Sequence, residues 1–297
     1  MTTDVTTDTH QSLIAVPPVW FITGCSTGFG RALATLLLER GDRVVVTARD
    51  PGKIRDFESK GDALILPLDV TDQGAIETAV KAAEARFGVI DVLVNNAGIG
   101  YFAAIEEGED RQVRRVFEIN VFGLARMIQA VLPGMRKRRK GYIVNLSSIG
   151  GLVSFPDVGY YNASKFAVEG LSEALWQEVE PLGIGVMLVE PSGFRTDWAG
   201  RSANESQRRI DDYETTAGVA LQRLREGSGH QAGDPARAAQ AIVDAIESGK
   251  PPHRLLLGNL AYDGAMAKLE ELRREFTAGE AIARAADYPT VKHGKAA

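Results

Sequence analysis

Val19-Trp20-Phe21-Ile22-Thr23-Gly24-Cys25-Ser26-Thr27-Gly28-Phe29-Gly30 decides how the chain is read. The first four residues form a short apolar run of strand length. From Arg31 to Arg40 the apolar residues recur at helical spacing, until Gly41 ends the pattern. Between strand and helix stand Gly24, Gly28 and Gly30, with Ser26, Thr27 and Phe29 among them. Glycines at a strand–turn–helix junction allow a tight turn and close backbone approach to a pyrophosphate. The helix start adds free N–H groups and a positive dipole end. These six residues are therefore the expected phosphate-binding turn. Cys25 reads either as a small turn residue or as a thiol activated at a helix N-terminus.

The same alternation continues outward. Strands are expected at Arg43–Thr47, Ala63–Leu68, Val89–Val94, Tyr142–Leu146 and Gly185–Val189. Helices are expected at Gln73–Phe87, Val113–Met135 and Tyr161–Glu180, with Pro133 breaking the second of these. Near-continuous apolar strands alternating with helices imply an α/β fold, a doubly wound parallel sheet of Rossmann type covered on both faces. One domain, 19–285, is expected between flexible tails, 1–18 and 286–297. Residues 198–233 break the rhythm and read as a partly helical, mobile excursion at the mouth of the sheet. Asp234-Pro235 then opens a helix, Arg254–Leu257 is a candidate last strand, and Met266–Phe276 a terminal helix.

Composition narrows the function. The 297 residues are 44% hydrophobic and 25% charged, which excludes wholesale disorder. A net charge of −5 argues against nucleic-acid and anionic-membrane partners. The single cysteine excludes an internal disulfide, and His10, His230, His253 and His293 show no ligand spacing, so no metal is expected. The start has neither a basic nor an apolar signal region, and no run reaches ~18 consecutive apolar residues. The expected compartment is the cytoplasm. The basic run Arg136–Lys140 reads as a solvated helix end stopped by Gly141, with a nucleic-acid or membrane patch as the alternative.

The end of the second strand reports the cofactor. A free ribose 2′-hydroxyl calls for an acid there, and a 2′-phosphate for an arginine. Here Thr47-Ala48 is followed by Arg49, with Asp50 one place late. Arg49 favours NADP(H) over NAD(H); the plainer reading pairs it with Asp50 or solvent. Tyr161 and Lys165 lie four apart on one helix face. An ammonium beside a phenol favours the phenolate, which would make Tyr161 a general acid/base for a carbonyl or hydroxyl oxygen.

Thr23-Gly24-x-x-x-Gly28-x-Gly30, Asn95-Asn96-Ala97-Gly98, Asn120, Ser148, Tyr161-x-x-x-Lys165 and Pro191…Thr196 occur in this order over about residues 19–200. In these pieces the chain resembles the short-chain dehydrogenase/reductase family, single-domain branch. Phe117–Gly123 and the long C-terminal extension are similar to the subset with 17-beta-hydroxysteroid and retinol dehydrogenases. The resemblance implies a catalytic tetrad. Tyr161 would be the proton donor or acceptor and Ser148, thirteen positions earlier, would orient the reacting oxygen. Lys165 would bind the nicotinamide ribose and lower the tyrosine pKa, and Asn120 would hold a relay water. It further implies that Asp69 and Val70 contact the adenine, and that Asn96, Ala97 and Gly98 flank its ribose. Pro191, Phe194 and Thr196 would line the nicotinamide end. Ser192 stands where the family usually has glycine, so the turn after Pro191 is expected to shift.

An NADP(H)-dependent oxidoreductase interconverting a ketone or aldehyde and an alcohol follows, with an apolar small-molecule substrate. Its pocket would be lined by Ser148, Val153, Phe155, Tyr160 and the 198–233 excursion. A catalytically silent dinucleotide sensor is the alternative from another class, although such proteins usually lose the tyrosine or the lysine. The apolar side of the 163–179 helix (Ala167, Leu171, Ala174, Leu175) is either core or subunit interface, and the family's habit points to a homo-oligomer, a dimer or tetramer.

Overall fold

The computed structural model describes residues 17–198, 200 and 203–288, so most of both expected tails lies outside the described residues. The strands are β1 (Val19–Ile22), β2 (Arg43–Ala48), β3 (Ala63–Pro67), β4 (Val92–Asn95), β5 (Gly100–Phe102), β6 (Gly141–Leu146), β7 (Ile184–Pro191), β8 (Ala203–Glu205) and β9 (Arg254–Leu257). Seven of them form a parallel sheet in the order β3-β2-β1-β4-β6-β7-β9. Chain order reverses between β1 and β4, which opens a crevice at their C-terminal ends. β5 and β8 pair separately, parallel, beyond that edge.

The helices are α1 (Gly28–Glu39), α2 (Gln73–Phe87), α3 (Asp110–Phe117), α4 (Leu124–Arg138), α5 (Gly159–Val179), α6 (Val219–Glu226), α7 (Pro235–Glu247) and α8 (Asn259–Ala285). Side chains alternate across each strand, so β1 feeds two cores at once. Phe21 and Val45 pack with α2, α4 and α5 on one face. Trp20, Ile22, Val44 and Val46 pack with α1 and α7 on the other. Asp234 caps α7 by accepting a hydrogen bond from the Ala236 N–H at 2.8 Å, as the Asp-Pro pair predicts.

Three of the differences from the sequence reading have a clear physical reason. The long helix expected at Val113–Met135 is interrupted by a π-helical segment, Glu118–Gly123, and not by Pro133. Pro133 and Gln129, whose carbonyl it leaves without a helical partner, are both exposed, so solvent reaches that carbonyl and α4 runs on. Although the 110–138 run is long and apolar enough to cross a membrane, half of its most apolar window is buried within this fold. The basic run does end the helix, but Arg139 makes the left-handed cap (φ 55°), and Gly141 is already the first residue of β6. The terminal helix is longer than expected, because α8 begins directly after β9.

The 198–233 excursion is partly helical, as expected. It contributes β8, a 3-10 turn at Asp211–Tyr213, a π turn at Glu214–Gly218, and α6. Buried Glu107 anchors it, accepting from the Ile210 N–H at 2.8 Å and pairing with Arg209 at 3.2 Å.

Candidate active site

The glycine turn sits at the end of β1, where the crevice opens. Gly24 (φ 74°) and Gly28 (φ 61°) adopt left-handed backbone that other residues resist. Gly30 is needed for space: a Cβ there would lie 2.4 Å from Asn96 Nδ2 and 2.6 Å from the Gly24 carbonyl. Asn96 earns that closeness by donating to the Thr23 and Gly24 carbonyls at 2.8 and 2.9 Å. The Ala97 N–H donates to Thr23 Oγ1 at 3.0 Å, so β4 and the turn form one unit. Thr27 caps α1 through its extended backbone, without a side-chain bond, and no acidic residue occupies the helix's first turn. An anion can therefore meet the free N–H groups there. Ser26 is half-buried beside them.

Cys25 is the small turn residue, not the reactive thiol. It is buried, its thiol donates to the Ile22 carbonyl at 3.3 Å, and burial pushes its pKa up to about 12.

Arg49 is exposed just past β2, lining a cleft of about 600 Å³ with Asp69, Thr71, Arg111, Gln112, Arg114, Arg115, Glu118 and Ile119. Asp50 does not pair with it; that carboxylate caps the next turn by accepting from the Gly52 N–H at 3.0 Å. Asp69 accepts from the Thr71 N–H and hydroxyl at 3.0 and 2.8 Å, and Glu118 is engaged by Arg126. Val70 is buried under Gly123, where a Cβ would lie 2.7 Å from Val70 Cγ2.

The catalytic candidates converge at the next two strand ends. Ser148 follows β6, with Oγ accepting from the Gly150 N–H at 3.0 Å and donating to the Pro191 carbonyl at 3.5 Å. Tyr161, in the first turn of α5, has the Ser148 hydroxyl near enough to hold its pKa down. Lys165 is buried, donates to the Leu146 carbonyl at 2.6 Å, and lies 5.7 Å from the centroid of the Tyr161 ring. Burial, rather than the neighbouring ammonium, sets the electrostatics in this geometry. Burial pushes the Tyr161 phenol up to about 12, opposed by Ser148, and pushes Lys165 down to about 8. The protonated phenol is thus the resting form.

Asn120 projects from the π segment. Its Oδ1 accepts from the Ile99 N–H at 2.9 Å, and Nδ2 donates to the Ile99 carbonyl and to Ser164 Oγ, both at 3.0 Å. Its side chain holds the segment after Gly98 in place. π-helical turns inside α-helices occur frequently at functional sites.

Beyond β7, Ser192 donates its N–H to the Leu257 carbonyl at 3.0 Å, and the next N–H pairing runs from Gly233 to the Gly193 carbonyl at 3.2 Å. The Phe194 ring packs on Phe29 (centroids 5.0 Å apart) and beneath Gly233, so it serves packing between the turn and the excursion. Thr196 lies against Gly28, within 3.5 Å of where a Cβ would stand.

Two of the expected pocket residues have other partners. Val153 packs with Ile149 near α8, and the Tyr160 hydroxyl donates to the Ile105 carbonyl at 2.7 Å. Phe155 is exposed at 44%. The aromatic wall that does face Tyr161 is Trp198, ring centroids 4.8 Å apart, backed by Phe102 at 5.6 Å from Trp198. Sequence reading included Trp198 only as the first residue of the excursion. It missed Phe102, and it missed the chain Asn95–Asn145–Ser172 that ties β4, β6 and α5 together.

A glycine-cradled anion site at a parallel sheet's switch point, facing a Ser–Tyr–Lys cluster, defines a dinucleotide-dependent oxidoreductase of the doubly wound class. The sequence profile of the short chain dehydrogenase family matches residues 18–207. The chain is 39% identical to a 3-ketodihydrosphingosine reductase of Bacteroides thetaiotaomicron over 82% of its length and 89% of that protein. It is 36% identical to retinol dehydrogenase 8 of Homo sapiens, over 82% of each. A short-chain dehydrogenase from Streptomyces avermitilis superposes with a TM-score of 0.84 at 42% identity, covering 92% of this chain and all of that one. A second, from Burkholderia phymatum in complex with NAD, superposes at 0.77 with 26% identity, covering 87% and 95%. The chain belongs to the short-chain dehydrogenase/reductase family and is an oxidoreductase of that family, which uses NAD(P)(H).

Proposed function

We propose that this oxidoreductase is NADP(H)-dependent and interconverts an apolar ketone or aldehyde with its alcohol. The observation that carries the reading is the Tyr161 phenol held between the Ser148 hydroxyl and the Trp198 indole, a polar handle against an apolar wall. The bound nicotinamide would supply or accept the hydride. Gly24, Gly28 and Gly30 leave room for its pyrophosphate, and Asn96, Ala97 and Gly98 shape the ribose side.

The side chains divide the remaining work. Ser148 donates to the substrate oxygen and orients it. Tyr161, protonated at rest, gives its proton to that oxygen as the carbonyl is reduced, and takes it back in the other direction. Lys165, fixed by the Leu146 carbonyl, stands under the phenol and stabilises the negative charge left on it. Phe102 and Trp198 exclude water and select apolar groups. The relatives' names, a keto-compound reductase and a retinol dehydrogenase, are in keeping with this chemistry.

The preference for NADP(H) rests on Arg49. Among the described residues it makes no ion pair, and Arg111, Arg114 and Arg115 line the same cleft. A 2′-phosphate there would meet guanidinium groups. The deciding measurement is steady-state oxidation of NADPH and NADH with a panel of aliphatic, aromatic and steroid-like ketones. Turnover restricted to NADPH and strongest with apolar ketones supports the proposal. Tight dinucleotide binding without turnover would favour the sensor instead.

Self-association is part of the same proposal. Phe122, Phe166 and Leu171 are exposed at 52%, 45% and 42% on the π segment and α5. Exposed apolar groups of this size suit a homo-oligomeric contact, to be read by light scattering of the purified chain.

A further inference from the structure

Behind the active-site turn lies a cluster of charge that the proton and hydride steps do not use. Glu169 follows Lys165 by one helical turn on α5, so the two share a face. One Glu169 oxygen accepts from the Ser147 hydroxyl and the other pairs with Arg254. Ser147 immediately precedes Ser148, and its N–H is fixed to the Val189 carbonyl at 2.8 Å. Gly151, in the turn that carries Ser148, has room for no side chain. A Cβ there would stand 2.7 Å from Ser147 Oγ and 3.0 Å from Glu169 Cγ.

Glu190 completes the cluster from β7. Its side chain is wholly buried, and Arg254 Nη1 reaches it at 3.1 Å. Its other oxygen accepts from no N–H or hydroxyl among the described residues, and the Glu169 carboxyl is its hydrogen-bonding neighbour. Glu190 directly precedes Pro191, whose carbonyl accepts from Ser148. The charged groups facing Glu169 are therefore Lys165 and Glu173 from its own helix, Glu190 from β7 and Arg254 from β9. Arg254 also meets exposed Glu173 at 3.0 Å, so one guanidinium serves two buried carboxyls and a third at the surface. Three carboxyls, Glu169, Glu173 and Glu190, face two cations, Arg254 and Lys165, and the one negative charge in excess is removed by a retained proton.

We propose that the Glu169–Glu190 pair, clamped by Arg254, is a positioning device that keeps Lys165 in its ammonium form and fixes the turn bearing Ser148. The pair holds one proton on Glu190, so Glu169 stays the anion that faces Lys165. Burial raises both carboxyls, and at Glu169 the Ser147 hydroxyl and Arg254 oppose it. Burial and the charge of Glu169 push Glu190 up to about 7, and Glu169 is what opposes the burial of Lys165.

This device rests on Tyr161 and Lys165 working as the reacting pair, and the test separates the two claims. In the first arm, infrared spectra of wild type and Glu190→Gln are recorded at pH 6 and 8 without substrate. A protonated-carboxyl C=O band present in wild type at pH 6 and missing from Glu190→Gln is expected; identical spectra would overturn the shared proton. The difference spectrum removes the contribution of Asp157, which burial also raises. In the second arm, the pH profile of kcat/KM for carbonyl reduction is compared. Glu169→Gln should move the alkaline limb down by about 1 unit, the low end of the scale for one neighbouring charge, while Glu173→Gln leaves it in place. Arg254→Gln, which frees the pair to protonate Glu169, should move it the same way and serves if Glu169→Gln does not fold. An unmoved limb in both, or an equal shift in Glu173→Gln, overturns the device. An absence of turnover with every carbonyl would instead sink the functional reading, with the infrared arm still judging the carboxyl pair.

Discussion

The indole of Trp198 lies across the phenol of Tyr161, ring centroids 4.8 Å apart and planes tilted by 55°. One residue is the proposed proton carrier on α5; the other begins the excursion. On that proposal, the segment that would select the substrate also sets how dry the phenol is. Trp198→Ala is expected to lower kcat/KM for bulky apolar ketones about tenfold, roughly 1.4 kcal/mol, and to affect acetone-sized substrates less. Comparing the two substrate classes in the variant checks this; an equal loss for both would remove Trp198 from the selecting wall.

Tyr161→Phe keeps the ring and deletes the proton. Turnover should fall by about 10²–10⁴-fold, the usual worth of a positioned acid. NADPH affinity, measured by fluorescence titration, should change little, because the glycine turn and Asn96 are untouched.

Arg49→Ala removes a guanidinium that among the described residues has no carboxylate partner. Its loss should weaken NADPH by about 1.5–3 kcal/mol, as for a charge-assisted hydrogen bond, and leave NADH nearly unaffected. Dissociation constants for both cofactors decide the matter, and parallel losses would mean that Arg49 does not read the 2′ position.

Gly30→Ala places a methyl group 2.4 Å from Asn96 Nδ2 and 2.6 Å from the Gly24 carbonyl. The turn must open to accept it, at a cost of about 1–3 kcal/mol. A lowered Tm together with weakened dinucleotide binding is the expected result.

Asp157 is buried with φ 68°, its carboxylate oxygens have no hydrogen-bond partner among the described residues, and burial raises its pKa to about 6. Because the folded value lies above the unfolded one, the native state holds the proton more tightly. Stability associated with this group is therefore present below about pH 4 and is lost as pH rises through about 6. Asp157→Asn, which tolerates the left-handed backbone, should stabilise the protein by roughly 1–2 kcal/mol at pH 7.5 and by nothing at pH 4. Urea denaturation at the two pH values measures the difference.

The order of strands and helices was legible because each element carries its own local signal. Val44 to Thr47 is β-branched, Asp234-Pro235 is a helix start, and the glycines of the first turn mark a backbone that must bend tightly. The break at Glu118–Gly123 was not legible. Nothing local distinguishes a π turn from a regular helix there; it forms because Asn120 must reach Ile99 and Ser164 while Gly123 passes over Val70. Pro133 was a misleading signal, since a proline on an exposed face breaks less than its reputation suggests. The pocket aromatics divided in the same way. Tyr160 follows the reading of an inward aromatic, yet its hydroxyl is taken by Ile105, while Phe102 gives no hint in sequence of standing behind Trp198.

Sequence alone determined the alternating fold, the glycine turn and the Tyr161–Lys165 spacing, because strand period, turn stereochemistry and helical pitch act over a few residues. Only the tertiary structure decided the protonation of that pair, the wall that covers it and the company of Glu169, Glu190 and Arg254. Those depend on desolvation and on charges brought together from α5, β7 and β9, distances that no local pattern encodes.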